Sequence, residues 1–326
     1  MYAIWFDRPL PPAYSHLLAG HVRPVDSTAD GHGDRFRHLA EADAIILGGA
    51  TRVTTEILAR GPRLRAICRT GIGTDNIDIS AATRSGVAVC NAPDGPTIST
   101  AEHAMALLLA VAKSIPTAQR KLRQGTERDF FNSHNGLELM GLQLGLVGLG
   151  RIGRRMARMA AGFEMRVMGY DPYLAREEFS ALGIQHAESL ESLLEQADVV
   201  SLHVPLTPQS RHLIDRAQLA RMKPGSILIN SGRGGLVDES ALLEALQSGH
   251  LRGAGLDVFE QEPAPPSHPL LQLETVIATP HVAAATDASR ARLWEAAIGQ
   301  AVDVLEGRRP PCLVNPEVWQ TPASHS

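Results

Sequence analysis

The chain has 326 residues, with 31 basic and 35 acidic side chains and a formal net charge of −4 at neutral pH. Charges of both signs are interspersed, so there is no electrostatic footprint for nucleic acid or for an anionic membrane surface. The length favours two domains over one core. Cys68, Cys90 and Cys312 are odd in number and lack metal-ligand spacing, which points to cytosolic thiols and a cytoplasmic location with no metal.

The chain begins on a strand-like segment, Tyr2–Phe6, and not on a basic and then apolar signal, so secretion is not expected. Further strand-like segments follow at Ala44–Leu47, Ala66–Arg69 and Val87–Asn91, with a helix-like one at Thr54–Ala59. They predict a small α/β unit ahead of everything else. The run Ala104–Ala112 is the longest uncharged apolar stretch; it is too short to span a bilayer and reads as a buried helix over Ala101–Ala112. His103 on that helix reads as a satisfied core or interface histidine.

At mid-chain comes Leu144-Gly-Leu-Val-Gly148-Leu-Gly150-Arg151-Ile152-Gly153. Gly148 allows a tight turn out of a strand, Gly150 lets backbone approach a pyrophosphate, and Gly153 lets a helix lie close on the sheet. The pyrophosphate would sit on the helix N-terminus, where unpaired N–H groups favour negative charge. Ile152, Met156, Met159, Ala160 and Phe163 recur at helical spacing, and Arg166–Tyr170 reads as the next strand, closed by Asp171. An acidic residue there accepts ribose hydroxyls and repels a 2′-phosphate, so the pattern predicts NAD over NADP. Arg176 nearby reads as a solvated surface side chain.

The alternation continues with strands near Leu142–Val147, Asp198–His203, Ser226–Asn230, Gly255–Val258 and Val276–Thr279. Together these predict a doubly wound parallel sheet of the Rossmann type. His203, at a strand end, reads as structural. Asp287–Glu306 reads as one long helix, able to return the chain to the N-terminal unit. The segment from Arg308, with Pro310, Pro311 and Pro316, reads as irregular or frayed.

Three later segments complete a pattern: Asn230-Ser231-Gly-Arg233-Gly-Gly-Leu-Val-Asp238, Leu256-Asp257-Val-Phe-Glu-Gln-Glu262-Pro263, and Thr279-Pro-His281. With the glycine motif and Arg69-Thr-Gly-Ile72-Gly73-Thr-Asp-Asn-Ile-Asp78, the chain resembles the D-isomer-specific 2-hydroxyacid dehydrogenases, in their phosphoglycerate-dehydrogenase-like branch. The resemblance runs in consistent order over about residues 40 to 306. It implies an NAD-binding Rossmann domain, residues 98–285, inserted into a smaller flavodoxin-like α/β substrate domain made of residues 1–97 and 286–326.

The resemblance also assigns roles. Moving a hydride between a 2-hydroxy acid and NAD needs a cation for the carboxylate, an acid/base for the hydroxyl proton, and a group that keeps that base correctly charged. Arg233, His281 and Glu262 match those roles. The resemblance further implies that Arg69 and the N–H groups of Ile72 and Gly73 bind substrate. It places Arg151, Ile152, Val204, Pro205, Ser231, Asp257, His281, Ala283 and Ala284 at the cofactor, with Asp257 on the nicotinamide carboxamide. Taken singly, each residue has a plain structural reading. Their order after the glycine motif is what points to catalysis.

Two departures bear on the substrate. A family arginine after the strand Ala44–Leu47 falls here at Gly48, so one phosphate-binding cation is missing, although Arg69 is retained. The C-terminal domain of longer relatives, which senses serine, does not appear, and feedback of that kind is not expected. The expected substrate is a small anionic 2-hydroxy or 2-oxo acid, with a 3-phosphoglycerate-like one still open. Two other readings remain. Certain NAD(H)-sensing transcriptional corepressors keep this fold and triad but carry extra terminal segments, and formate dehydrogenases carry Gln where Glu262 stands. The resemblance implies a homodimer built on the NAD domain, through the segment from Lys121 to Gly136 with its adjacent Phe130 and Phe131. It also implies a cleft that must close for catalysis.

Overall fold

The computed structural model describes residues 1–18, 20, 22–26, 34–49, 51–125 and 128–320. Its backbone divides into two compact units, Thr97–Ala285 and a discontinuous one made of Met1–Pro96 and Thr286–Ser326.

The discontinuous unit holds five strands: β1 (Tyr2–Phe6), β2 (Val22–Asp26), β3 (Ala44–Leu47), β4 (Ala66–Arg69) and β5 (Ala88–Cys90). They pair in the order β2-β1-β3-β4-β5, and every pairing is parallel. This is the flavodoxin-like order. Successive side chains of a strand point to opposite faces, and both faces here are apolar, as a parallel sheet covered on both sides requires. Trp5, Ile45, Leu47 and Ile67 build one core, while Ile4, Phe6, Ile46 and Cys68 build the other. The helix Asp287–Leu305 covers the second face with Trp294, Ala297, Ile298, Ala301, Val304 and Leu305. The strand β2 escapes the sequence pattern because it lies at the sheet edge and carries Pro24, which has no N–H to give to a ladder.

The segment after Arg308 departs from the frayed expectation as far as residue 320; residues 321–326 lie outside the described residues. Leu313 bridges to Cys90, and Val314 N donates to Val89 O at 2.7 Å. Asn315, 2% exposed, accepts from Val89 N at 2.7 Å through Oδ1 and donates through Nδ2 to Val87 O and Thr83 Oγ1 at 2.9 and 3.0 Å. Its prolines punctuate a tail that one amide side chain fastens to β5. Asn315→Ala leaves buried main-chain groups unpaired and is expected to lower unfolding free energy by about 3 kcal/mol, read from the denaturant midpoint at unchanged slope.

The other unit carries β6 (Gln143–Val147), β7 (Arg166–Tyr170), β8 (Gln185–His186), β9 (Val199–Leu202), β10 (Ser226–Asn230), β11 (Leu251–Leu256) and β12 (Val276–Ala278). Their order is β12-β11-β10-β9-β6-β7-β8, again parallel throughout. The order reverses at β6, so the sheet is doubly wound and its topological switch point lies at the carboxyl ends of β6 and β9. The helices Thr97–Ala112 and Arg151–Gly162 cover one face through Ala104, Leu107, Leu108, Met156 and Ala160. Leu193, Leu219 and Leu242, from three further helices, cover the other.

The strand expected at Gly255–Val258 is β11, and it begins four residues earlier. Gly253 and Gly255 hid it, because glycine carries no β-propensity signal. They are there for packing. A Cβ at Gly253 would lie 2.6 Å from Thr275 O and 2.8 Å from Val111, and one at Gly255 would lie 2.8 Å from Ile229 and 2.9 Å from Leu107. The helix Thr97–Ala112 thereby approaches the sheet closely. It begins four residues before the expected Ala101, with Ser99 and Thr100 buried in its first turn. No single helix among the described residues is long and apolar enough to cross a membrane.

Candidate active site

In the Thr97–Ala285 unit, most of the residues singled out from the sequence lie at the carboxyl ends of the parallel strands, where open α/β sheets bind ligands. Gly148 follows β6 with a φ of +93°, and a Cβ on it would lie 2.7 Å from Val204 Cγ1 and 2.8 Å from His203 O. Only glycine fits that turn. Gly150 caps the helix Arg151–Gly162, and a Cβ there meets nothing within 4 Å, leaving open space at the helix N-terminus. A Cβ on Gly153 would overlap Gly148 O. The three glycines thus perform turn, approach and close packing.

Asp171, just after β7, accepts from Leu149 N at 2.9 Å and from Tyr173 N at 3.0 Å, one bond to each oxygen. Each carboxylate oxygen has a second acceptor position, so the group retains capacity for a ribose diol while holding the glycine loop. The Ser231 hydroxyl, just past β10, is buried with no hydrogen-bond partner among the described residues. The glycine cradle, the acceptor at β7 and this orphaned hydroxyl together fit a dinucleotide. Val204 and Pro205 follow β9, and Ala283 and Ala284 follow β12, on the same edge of the sheet.

The His281–Glu262 pair is assembled by two loops. His281 Nδ1 lies 2.7 Å from Glu262 Oε2, with both side chains partly open to solvent. The other carboxylate oxygen accepts from Phe259 N at 3.2 Å. Burial acts to raise the Glu262 carboxyl, but the hydrogen bond and charge of His281, the Phe259 N–H and the positive charge of Arg233 outweigh it. The group is held below the usual glutamate range. A carboxylate accepts only, so Nδ1 carries a proton and Nε2 is the ring atom left for a reacting group.

Arg233 stands on a turn that Asn230 fixes. Asn230, 1% exposed, donates through Nδ2 to Arg233 O at 2.9 Å and accepts from Gly232 N at 3.0 Å. The Arg233 guanidinium donates to Gly232 O at 2.8 Å. A brace joins this loop to the one bearing Glu262. Glu239 accepts from Glu260 N at 2.7 Å, and its other oxygen lies 3.0 Å from His268 Nε2. Neither Asn230 nor this brace was singled out from the sequence, because each works through partners that no local pattern encodes.

In the discontinuous unit, Arg69 donates through Nε to Gly73 O at 3.0 Å and through Nη1 to Gly49 O. It shapes the loops after β3 and β4 whatever else it contacts. Among the described residues, the N–H groups of Ile72 and Gly73 meet no acceptor, and Ile72 is 37% exposed. Both N–H groups are therefore available to an anion. Gly48 N instead donates to Asp7 at 2.6 Å. Among the described residues no group of three or more His, Cys, Asp or Glu side chains is arranged to hold a metal.

Residues 105–283 match the family model described as "D-isomer specific 2-hydroxyacid dehydrogenase, NAD binding domain". The chain is 43% identical over 278 residues to a D-3-phosphoglycerate dehydrogenase of Methanocaldococcus jannaschii, covering 85% of this chain and 52% of that one. It is 43% identical over 286 residues to a glyoxylate reductase of Korarchaeum cryptofilum, covering 87% and 86%. The chain belongs to the D-isomer-specific 2-hydroxyacid dehydrogenases. Among solved structures, the TT0316 protein of Thermus thermophilus matches with a TM-score of 0.88 at 38% identity, over 96% of this chain and 99% of that one.

Within the family, the resemblance to the phosphoglycerate-dehydrogenase-like branch holds, although the chain spans about half the length of the phosphoglycerate dehydrogenases it matches. Its doubly wound sheet is the family's NAD-binding domain, and NAD is its cofactor. The dehydrogenase fingerprint was legible because its residues cluster in five short segments. The contacts that hold them were not.

Proposed function

We propose that this chain is an NAD-dependent oxidoreductase that interconverts a small anionic 2-oxo acid and its D-2-hydroxy acid. The 2.7 Å His281–Glu262 pair, with the charge of Arg233 acting on the same carboxylate, carries this reading. Arg233 presents its planar fork to the substrate carboxylate and carbonyl oxygen, orienting the acid and stabilising charge on the oxygen as it develops. In the other unit, Arg69 keeps in shape the loop whose Ile72 and Gly73 N–H groups are open to an anion. His281 gives its Nε2 proton to the carbonyl oxygen during reduction and takes it back during oxidation. Glu262 holds Nδ1 and so fixes the orientation of the ring. NAD, when bound, supplies the hydride donor or acceptor. Asp171 receives the adenosine ribose hydroxyls and disfavours a 2′-phosphate, which makes NAD the preferred form. Arg151, Ile152, Val204, Pro205, Ser231, Ala283 and Ala284 line the cofactor's path, and Asp257, fully buried, holds the loop after β12 from behind.

The substrate class follows from the charges. The position that carries an arginine in many phosphoglycerate dehydrogenases is Gly48 here, and its N–H is engaged by Asp7. Glyoxylate-like and hydroxypyruvate-like acids fit that arrangement with one carboxylate site, and a phosphorylated acid would depend on Arg69.

The pH dependence tests the proton chemistry. Because Glu262 sits below the ordinary glutamate value of 4.5, the pair is fully formed above that value and is lost only as pH falls through the lowered one. Steady-state reduction by NADH followed over pH should therefore show no inflection belonging to Glu262 at or above 4.5. An acid-side inflection above that value, absent from Glu262→Gln, would contradict this assignment.

The assembly we propose is a homodimer formed on the NAD-binding domain. Phe131 is 92% exposed, with Leu122 at 67% and Ile115 at 53% nearby in sequence. Apolar surface of that kind favours a covering partner. Sedimentation equilibrium should give twice the 35.0 kDa chain mass, and Phe131→Asp should shift the population toward the single chain.

A further inference from the structure

His103 lies on the helix Thr97–Ala112, far in sequence from the catalytic loops. Its Nε2 is 2.8 Å from Thr279 Oγ1 and 3.5 Å from Asp257 Oδ1. The directions of these bonds follow from proton counting. Thr279 has one hydroxyl proton, and its oxygen lies 2.6 Å from Asp257 Oδ1, which as a carboxylate oxygen only accepts. The proton therefore points to Asp257, and Thr279 Oγ1 must receive from His103. The chain runs His103 Nε2–H to Thr279 Oγ1–H to Asp257 Oδ1.

Asp257 is fully buried and is the hub of the loop that carries His281. Its Oδ1 accepts from Val282 N at 2.9 Å, its Oδ2 accepts from Ala283 N at 2.8 Å, and its main-chain oxygen accepts from His281 N at 2.7 Å. His281 itself has a φ of +54°, in the left-handed region that a non-glycine residue adopts only when its surroundings hold it there. Burial acts to raise the Asp257 carboxyl. The bonds from His103, Thr279, Val282 and Ala283 overcome it and keep the group below the usual range.

We infer that His103 is a positioning residue for the reaction: by donating to Thr279 it directs the threonine hydroxyl onto Asp257, and so fixes the backbone on which His281 stands. Its role in turnover rests on the oxidoreductase reading above, while its role in ordering the loop does not. Without the His103 donor, the half-buried Thr279 oxygen loses its only donor among the described residues. The bond it makes to Asp257 is no longer polarised from behind, and the hold on Val282 and Ala283 weakens. Glutamine at 103 places an amide N–H near the position of Nε2 and should restore the link, whereas leucine keeps the volume and removes the donor.

The test uses the full-length chain in four forms: unsubstituted, His103→Leu, His103→Gln and Thr279→Val. Amide exchange at Val282 and Ala283 is measured by NMR or mass spectrometry, alongside kcat and KM for NADH-driven reduction of glyoxylate and hydroxypyruvate. In His103→Leu and Thr279→Val, exchange at both amides should rise about tenfold, and kcat should fall about tenfold with the acid's KM changing less than about threefold. His103→Gln should return both readouts to within about threefold of the unsubstituted chain. Exchange and kcat unchanged in His103→Leu, or a His103→Gln variant as impaired as His103→Leu, overturns the inference. A chain with no turnover in its unsubstituted form contradicts the oxidoreductase reading, and the exchange rates still decide the role of His103.

Discussion

Replacing His281 with alanine is expected to lower kcat/KM for the reduction of a 2-oxo acid about a thousandfold, the middle of the range for removing a general acid. The loss should fall on kcat, since Arg233 remains in place to bind the substrate carboxylate in this account. Binding of NADH, followed by its fluorescence, should change much less. That split separates a proton donor from a binding residue. The reason is local. Nδ1 of His281 is fixed by Glu262 at 2.7 Å, the loop behind it is held by three N–H bonds to Asp257, and so Nε2 is presented in one orientation. Alanine removes the proton without disturbing those main-chain bonds. A His281→Ala variant within about tenfold of the unsubstituted chain would exclude His281 as the acid.

Gly234→Ala is expected to be as damaging by a different route. A Cβ on Gly234 would overlap the peptide between Phe259 and Glu260. These are main-chain atoms in a buried contact, and no side-chain rotation relieves the clash. Relief requires the loop bearing Arg233 to move away from the loop bearing Glu262. That movement breaks the brace through Glu239, Glu260 and His268 and separates the carboxylate from the guanidinium that acts on it. Overpacking of this kind costs about 1–3 kcal/mol in stability and more where backbone must shift. Activity should fall at least a hundredfold, because catalytic geometry tolerates only small displacements. Kinetics with a thermal denaturation curve checks both parts. Gly235→Ala serves as the comparison, since its nearest neighbours are the ends of Arg211 and Leu206 at 3.2 and 3.3 Å and can yield.

How much of this was legible in the sequence differs from element to element. The β6–Gly148–Gly153 passage and Asp171 were read in place, because a turn, a close approach and a helix contact each demand glycine at a fixed offset. The pairing of Arg233, Glu262 and His281 was expected only through family resemblance, and what the fold adds is the 2.7 Å contact and the charge of Arg233 on Glu262. Other features were hidden for physical reasons. His103 meets Thr279 across 176 residues of chain, and a lone histidine on an apolar helix carries no local signal of that bond. Gly253 and Gly255 lowered the strand signal of β11 because close helix packing decided those positions. The tail after Arg308 reads as loop by its prolines, yet Asn315 anchors it through three hydrogen bonds. In each case tertiary partners outweighed local propensity.

The measurement that tests the central claim most directly is the oxidation of NADH at neutral pH by the purified chain against glyoxylate, hydroxypyruvate, pyruvate, phosphonopyruvate and 3-phosphohydroxypyruvate, with NADH binding recorded in parallel. The account predicts turnover of at least one of these acids, absent with His281→Ala. Tight NADH binding with no turnover of any of them would contradict it.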